Sequence, residues 1–178
     1  MKETTSAPKT KTKRADGQVT GLAGELFVAA ELLKRGLQTS VTFGNAKAID
    51  LLAYNPETEK AFTVQVKSVR KRNAFPISHE RVEANHTYVF VILNRPGVAV
   101  QYFVVPGSLL AKEPERFTKW FTDPKFPGIP PAALEPFENA WQGGVPPSGV
   151  RAEGVGFAVG ALQGPHGRRD QEVIGELR

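Results

Sequence analysis

Residues 48–68 read AIDLLAYNPETEKAFTVQVKS and contain the clearest structural signal in the chain. Two apolar-rich runs, 48–54 and 60–68, flank a short segment of turn-forming residues, 55–59. This pattern predicts a β-hairpin. In a symmetric loop without a bulge, the facing pairs would be Tyr54 with Ala61, Leu52 with Thr63, and Asp50 with Gln65.

The predicted hairpin has one polar and one apolar face. Because successive side chains of a strand point to opposite faces, Asp50, Gln65 and Lys67 should project from the side that does not cover the core. The other side carries an apolar set suited to cover a core, namely Leu51, Ala53, Phe62, Val64 and Val66. A one-residue slip would bury the charged side chains, so both patterns favour a single register.

The polar face of the hairpin combines a carboxylate, an amide oxygen and an ammonium group in Asp50, Gln65 and Lys67. Mg²⁺ prefers oxygen ligands and usually takes only one or two protein carboxylates, leaving water and substrate phosphate to complete its shell. A bound metal helps generate hydroxide from water, and a nearby lysine stabilises developing negative charge. The combination therefore indicates phosphodiester cleavage, although each residue alone is typical of a solvated strand or a turn cap.

The rest of the chain predicts a single α/β domain over residues 16–142. A helix is expected to begin with Asp16 as its N-cap. Its helically spaced apolar stripe comprises Leu22, Leu26, Ala29, Ala30, Leu33 and Leu37. Further strands are expected at 39–43, 88–93 and 98–105, and short helices at 106–110 and 134–141. Trp120 and Trp141 are interpreted as anchors that pack the C-terminal part of the domain.

Both ends of the chain are predicted to be disordered tails. Residues 1–15 are polar and lysine-rich, whereas residues 143–178 are dominated by glycine and proline. The net charge of +5 and a pI of about 9.6 favour an acidic partner such as DNA. The chain contains no cysteine, which excludes disulfides and thiolate zinc sites, and no apolar run of membrane-spanning length. We therefore expect a soluble, cytoplasmic protein that does not bind membranes.

Three short segments in order resemble the core of the PD-(D/E)XK nuclease superfamily. They are Gly24-Glu25, Ile49-Asp50-Leu51-Leu52-Ala53 and Val64-Gln65-Val66-Lys67-Ser68. The layout is similar to archaeal Holliday-junction resolvases and to small uncharacterised bacterial nuclease-like proteins. The resemblance implies a restriction-endonuclease-like α/β core, with a mixed sheet of about five strands, an N-terminal helix and short flanking helices.

The resemblance also implies a role for each matching residue. Asp50 would be the principal metal ligand, Lys67 the catalytic lysine, and Glu25 a helix carboxylate that assists the metal site. Val66 would offer its backbone carbonyl to Mg²⁺, or to Mn²⁺ in its place. Gln65 departs from the acidic residue of the motif, as in the Q-X-K variants of the superfamily, and removes one negative charge. Ile49 replaces the proline of the motif, which contributes no ligand.

The implied function is metal-dependent cleavage of DNA. Arg70, Lys71 and Arg72 follow the second strand directly and are candidates for contact with the DNA backbone. Many nucleases of this type pair up to cut two strands, but the sequence leaves open whether this chain is a monomer or a homodimer. The loss of one acidic ligand favours the alternative, a noncatalytic protein that retains the fold as a DNA-binding or protein-interaction module.

Overall fold

The computed structural model describes residues 12–42 and 49–141, with the backbone alone at 12–15. Its helices are α1 (Thr12–Lys34), α2 (Gly107–Lys112) and α3 (Pro131–Leu134). Its strands are β1 (Gln38–Val41), β2 (Leu51–Asn55), β3 (Lys60–Val69), β4 (Phe75–Pro76), β5 (Thr87–Ile92), β6 (Gln101–Pro106) and β7 (Gly128–Ile129). The predicted tails lie outside the described residues, apart from the backbone at 12–15, which forms the first turn of α1.

The main sheet has five strands in the order β1-β2-β3-β5-β6. All neighbours are antiparallel except β3 and β5, which run parallel. The prediction of a mixed five-stranded sheet with an N-terminal helix is therefore confirmed. The two-residue strands β4 and β7 form a second small sheet that the sequence did not predict, because two residues are too few to show a period. No helix within residues 12–42 and 49–141 is long and apolar enough to cross a membrane.

The β2–β3 hairpin has the predicted register. Leu52 pairs with Thr63, and Tyr54 pairs with Ala61. The apolar face predicted for the hairpin is also confirmed, since Leu51, Ala53, Val64 and Val66 are buried and Phe62 packs against the same cluster. Asn55 closes the turn by accepting hydrogen bonds from the backbone amides of Glu57 (2.9 Å) and Thr58 (3.4 Å).

The main sheet is covered differently on its two faces. The near face contacts α1, whose Val28, Ala29 and Leu32 pack on Leu51, Ala53, Val64, Val66, Val89, Val91, Tyr102 and Val104. The far face carries Tyr88, Phe90 and Ile92 of β5 and Phe103 and Val105 of β6. These far-face residues are covered by Phe75, Ile77, Leu110, Phe117, Phe121, Ile129, Leu134 and Phe137.

Helix α1 differs from its prediction in its start and in its orientation. It begins at Thr12, so Asp16 lies inside the helix and is not its N-cap. Most of the predicted apolar stripe points away from the sheet: Leu22 is 43% exposed and Leu33 is 55% exposed. A Cβ atom on Gly24 would lie 1.7 Å from Ser68 Oγ, so the helix makes its closest approach to β3 at a residue without a side chain. That approach turns the face of Val28 and Leu32 towards the core.

The two tryptophans have different environments. Trp141 packs edge-on against Tyr102 with ring centroids 5.3 Å apart, and the Arg35 guanidinium lies 4.5 Å from the centre of its ring. Trp141 is therefore an anchor, as predicted. Trp120 is 54% exposed, so its prediction as an anchor is wrong. The neighbouring Phe121 is fully buried instead.

Candidate functional site at the start of β2

Asp50 is held where β2 begins. Its backbone amide donates to the Val64 carbonyl at 3.2 Å, and its own carbonyl accepts from the Thr42 amide at 3.0 Å. Its carboxylate Oδ2 accepts a hydrogen bond from the Val66 backbone amide at 2.7 Å. Strand β2 starts at Leu51, so its backbone does not pair with the Val66 amide of β3. The Asp50 carboxylate supplies the hydrogen-bond acceptor that this amide needs. The Asp50 carboxylate is thereby fixed against the middle of the Val64–Lys67 segment.

Gln65 is more deeply buried than its predicted position on an uncovered face implies. Only 9% of its surface is exposed, and in the sheet it lies beside the fully buried Tyr88 of β5. The prediction that this side of the hairpin does not cover a core is therefore wrong at Gln65, because the aromatic core on the far face of the sheet extends to β3. The pairing of β2 with β3 begins at Leu51, the residue after Asp50, so the observed register leads to the predicted Asp50–Gln65 pair without including it.

Glu25 and Lys67 join Asp50 in one charged cluster. Burial raises the pKa of the Glu25 carboxyl, the charge of Asp50 raises it further, and the charge of Lys67 lowers it. Both charges thus act on Glu25 even though it lies on α1 and the other two residues lie in or beside the sheet. The close approach of Gly24 to Ser68 explains this, since it presses the adjacent turn of α1 against the end of β3.

The field of Asp50 also reaches the far face of the sheet. The pKa of Tyr88 is raised mainly by burial, with smaller contributions from the charges of Glu83 and Asp50, while a hydrogen bond from the Glu83 amide lowers it. The Tyr88 hydroxyl accepts that bond at 2.9 Å. Tyr88 is fully buried. Sequence reasoning missed its electrostatic link to Asp50, because nothing in the local pattern marks it.

The candidate metal donors at this site are all oxygen atoms. They are the carboxylates of Asp50 and Glu25, the side-chain carbonyl of Gln65 and the backbone carbonyl of Val66. Within the part of the chain that the structure describes, no three His, Cys, Asp or Glu residues gather into a group that could hold a metal. Asp50 and Glu25 are two carboxylates, a number within the usual range for Mg²⁺.

The basic run after β3 is partly engaged with acidic and polar groups. Arg70 forms an ion pair with Asp16 at 2.8 Å and donates from Nε to Thr20 Oγ1 at 3.0 Å. Arg72 forms an ion pair with Glu135 at 2.6 Å, and Lys71 is exposed. Both ion pairs are about half exposed, so each contributes about 0–1 kcal/mol and can exchange for a phosphate.

The predicted residues are thus partly brought together. Asp50, Glu25 and Lys67 form one electrostatic cluster, Val66 bonds to Asp50, and the basic run begins just after the strand that carries Lys67. Sequence reasoning missed Thr20 as a partner of Arg70, because the two residues are fifty positions apart. No protein-family model matches the sequence, and no curated protein matches it either.

Proposed function

We propose that this protein is a Mg²⁺-dependent endonuclease of the PD-(D/E)XK type that hydrolyses phosphodiester bonds in DNA. The observation that carries the proposal is the hydrogen bond from the Val66 amide to the Asp50 carboxylate. It fixes the carboxylate beside the Gln65-Val66-Lys67 segment, in the order of residues that the sequence resemblance implies. We also propose that the protein acts in the cytoplasm and has a restriction-endonuclease-like fold.

The donor set fits a hard divalent cation. Asp50 would be the principal ligand, with Glu25 assisting directly or through water, and Gln65 and Val66 adding neutral oxygens. The charge of Asp50 already raises the pKa of Glu25, so a cation between these carboxylates would relieve their repulsion. When bound, Mg²⁺ or Mn²⁺ would stabilise negative charge on the phosphoryl oxygens and lower the pKa of a coordinated water.

The remaining groups position and stabilise the substrate. Lys67 is partly exposed, and its ammonium would donate to the attacking water or to a phosphate oxygen as negative charge develops. The exposed Lys71 would contact the DNA backbone, together with Arg70 and Arg72 once phosphate replaces their carboxylate partners. Asp50 retains a structural task as well, since its carboxylate completes the hydrogen bonding of β3.

A noncatalytic role is the second candidate. Gln65 stands where the motif has an acid, and it is largely buried. Both facts favour a protein that keeps the fold as a DNA-binding or protein-interaction module. In that case the Asp50 carboxylate serves only as a cap for the Val66 amide.

A cleavage assay separates the two candidates. Single-stranded, duplex and branched DNA are incubated with the full chain in Mg²⁺, in Mn²⁺ and in chelator. We expect metal-dependent cleavage that falls by about 100-fold or more in Asp50→Asn and in Lys67→Ala, the size of effect seen when one group that stabilises the transition state is removed. Asparagine keeps an acceptor for the Val66 amide, so this variant removes the charge and not the cap.

The control is Glu57→Gln, which neutralises an exposed carboxylate in the turn at the other end of the same hairpin. This variant should cleave at the wild-type rate. Equal cleavage by the wild type, Asp50→Asn and Lys67→Ala would disprove the site. Metal-independent DNA binding without cleavage in any metal would establish the noncatalytic candidate.

A further inference from the structure

Helix α1 exposes an apolar stripe on the side opposite the sheet. The exposed fractions are 57% for Val19, 43% for Leu22, 51% for Leu26 and 55% for Leu33. Ala30 is exposed on the same side. These five residues, which we call the outer stripe, follow one another at spacings of three, four, four and three. At about 100° per residue they lie within roughly 80° of one another around the helix axis.

The outer stripe is symmetric about Leu26. Reversing the direction of the helix reproduces the same spacing of apolar positions. Two such helices placed antiparallel, with both copies of Leu26 at the centre, bring Val19 of each copy opposite Leu33 of the other and Leu22 opposite Ala30. At the two Leu22–Ala30 positions a large residue faces a small one, so the two helices can approach closely there. The span from Val19 to Leu33 is about 21 Å at 1.5 Å per residue.

Charge favours the same arrangement. The outer stripe contains no charged residue, and Asp16 and Lys34 lie on one flank of it, near opposite ends of the helix. An antiparallel pair brings Asp16 of one copy near Lys34 of the other, because the same flank of both helices then lies on one side of the interface; a parallel pair puts these flanks on opposite sides and forms no such ion pair. The opposed helix dipoles also favour the antiparallel pair. Asp16 already bonds to Arg70 of its own chain, and an additional cation at its carboxylate is compatible with that exposed pair.

We propose that the outer stripe of α1 docks onto the outer stripe of a second copy of this chain in an antiparallel helix pair. The occupant is a second copy because the pattern is self-complementary about a single residue. This interface does not depend on the proposed nuclease function, since Leu26 is outside the charged cluster of Asp50, Glu25 and Lys67. A twofold axis between the two copies of Leu26 would relate the two subunits of this dimer, and therefore their two candidate sites.

The chain contains no cysteine, so single cysteines report on the register directly. A disulfide needs Cα atoms about 4.4–6.8 Å apart, which helix packing allows only for residues that face each other. In the full chain under mild oxidation, Leu26→Cys should cross-link with itself. Leu22→Cys and Ala30→Cys should each form no disulfide cross-link alone, and they should cross-link to each other when the two variants are mixed.

The matched control is Val98→Cys, which replaces an equally exposed apolar residue outside the outer stripe and should cross-link only at the background rate. Self-cross-linking of Leu22→Cys at the rate of Leu26→Cys would overturn the antiparallel register. Cross-linking of Leu26→Cys no faster than Val98→Cys would overturn the interface altogether.

Sedimentation equilibrium of the full chain without cysteines gives a second readout. The apparent mass should rise with concentration from 19.4 kDa towards twice that value. Leu26→Glu should stay monomeric with an unchanged circular dichroism spectrum, because it places two like charges opposite each other on an exposed surface. A wild-type chain that stays monomeric at all concentrations would overturn the proposal. A chain that dimerises only after deletion of residues 143–178 would also overturn it, by showing that this segment covers the stripe.

Discussion

The far face of the main sheet is covered at β5, at β6 and at Gln65 of β3, and it is open at β2 and at the Lys67 end of β3. Tyr88, Phe90 and Ile92 of β5 are fully buried. Two strands away, Leu52 of β2 is 47% exposed, and Lys67 of β3 is partly exposed. The covering segments, α2, α3 and the β4–β7 sheet, lie over one half of the face only. The candidate site is located where this cover ends, so the same sheet supplies both a rigid aromatic core and an accessible polar edge.

The largest expected contrast is in stability. Phe90→Ala removes a buried ring from the covered half and should lower the free energy of unfolding by about 3–5 kcal/mol. Leu52→Ala on the open half should change it by less than about 1 kcal/mol, because the side chain is already half exposed. Chemical denaturation of both variants checks this difference. Equal losses would mean that the open half is covered in solution.

A buried charge at the border of the two halves should have a smaller effect. Without metal, Gln65→Glu is expected to lower the free energy of unfolding by about 1–3 kcal/mol, since a carboxylate replaces an amide in a residue that is 9% exposed beside Tyr88. Burial raises the folded-state pKa of such a carboxyl above its unfolded value, so the loss should be present at neutral pH. It should diminish below about pH 4, where the carboxyl is protonated in both states.

The control for this prediction is Thr63→Glu, two residues earlier on the same strand and face and partly exposed. At neutral pH in chelator, Thr63→Glu should lower the free energy of unfolding less than Gln65→Glu does. Gln65→Glu could instead lower the free energy of unfolding equally at pH 4 and pH 7. That result would show that desolvation of the new charge is not the cause.

The two halves should also differ in DNA binding. Neutralising Arg70, Lys71 and Arg72 together should flatten the dependence of log affinity on log salt by up to about 0.9 for each phosphate that the protein no longer neutralises. The control neutralises three exposed lysines of the covering layer, Lys112, Lys119 and Lys125. Filter binding over a range of salt concentrations measures both slopes. Equal flattening of the salt dependence in the two variants would show that Arg70, Lys71 and Arg72 are not a specific DNA contact.

The smallest effect is expected at the C-terminus. Deleting residues 143–178 should leave the thermal midpoint nearly unchanged, because this glycine- and proline-rich segment offers few periodic apolar positions. The deletion keeps Trp141 and its contacts with Tyr102 and Arg35. A large fall in the midpoint would show that the segment packs on the domain.

The sequence predicted the hairpin well because alternation of polar and apolar residues fixes both the strands and their register. It did not predict which side of α1 is buried, since apolar residues occur on both sides. Gly24 was the available signal, because a helix approaches a strand most closely where it lacks a side chain. The interpretation of Leu22, Leu26 and Leu33 as the single apolar stripe therefore identified the exposed side.

The cover of the far face could not be predicted from local pattern. Phe117, Phe121 and Ile129 come from turns and a two-residue strand, which have no recognisable period. Pro131 begins α3 at a position where its missing amide costs nothing. The same limitation applies to the burial of Gln65, since only the covering segments determine how far the far-face core extends.

The central claim is that Asp50, Glu25 and Gln65 form one cation site. Titration of Mg²⁺ while following the thermal midpoint tests it most directly, because a ligand that binds the folded state raises the midpoint by mass action. We expect the midpoint to rise for the wild type, to rise further at low metal concentration for Gln65→Glu, and not to rise for Asp50→Asn. Identical responses of all three proteins, or no response in any of them, would contradict the site.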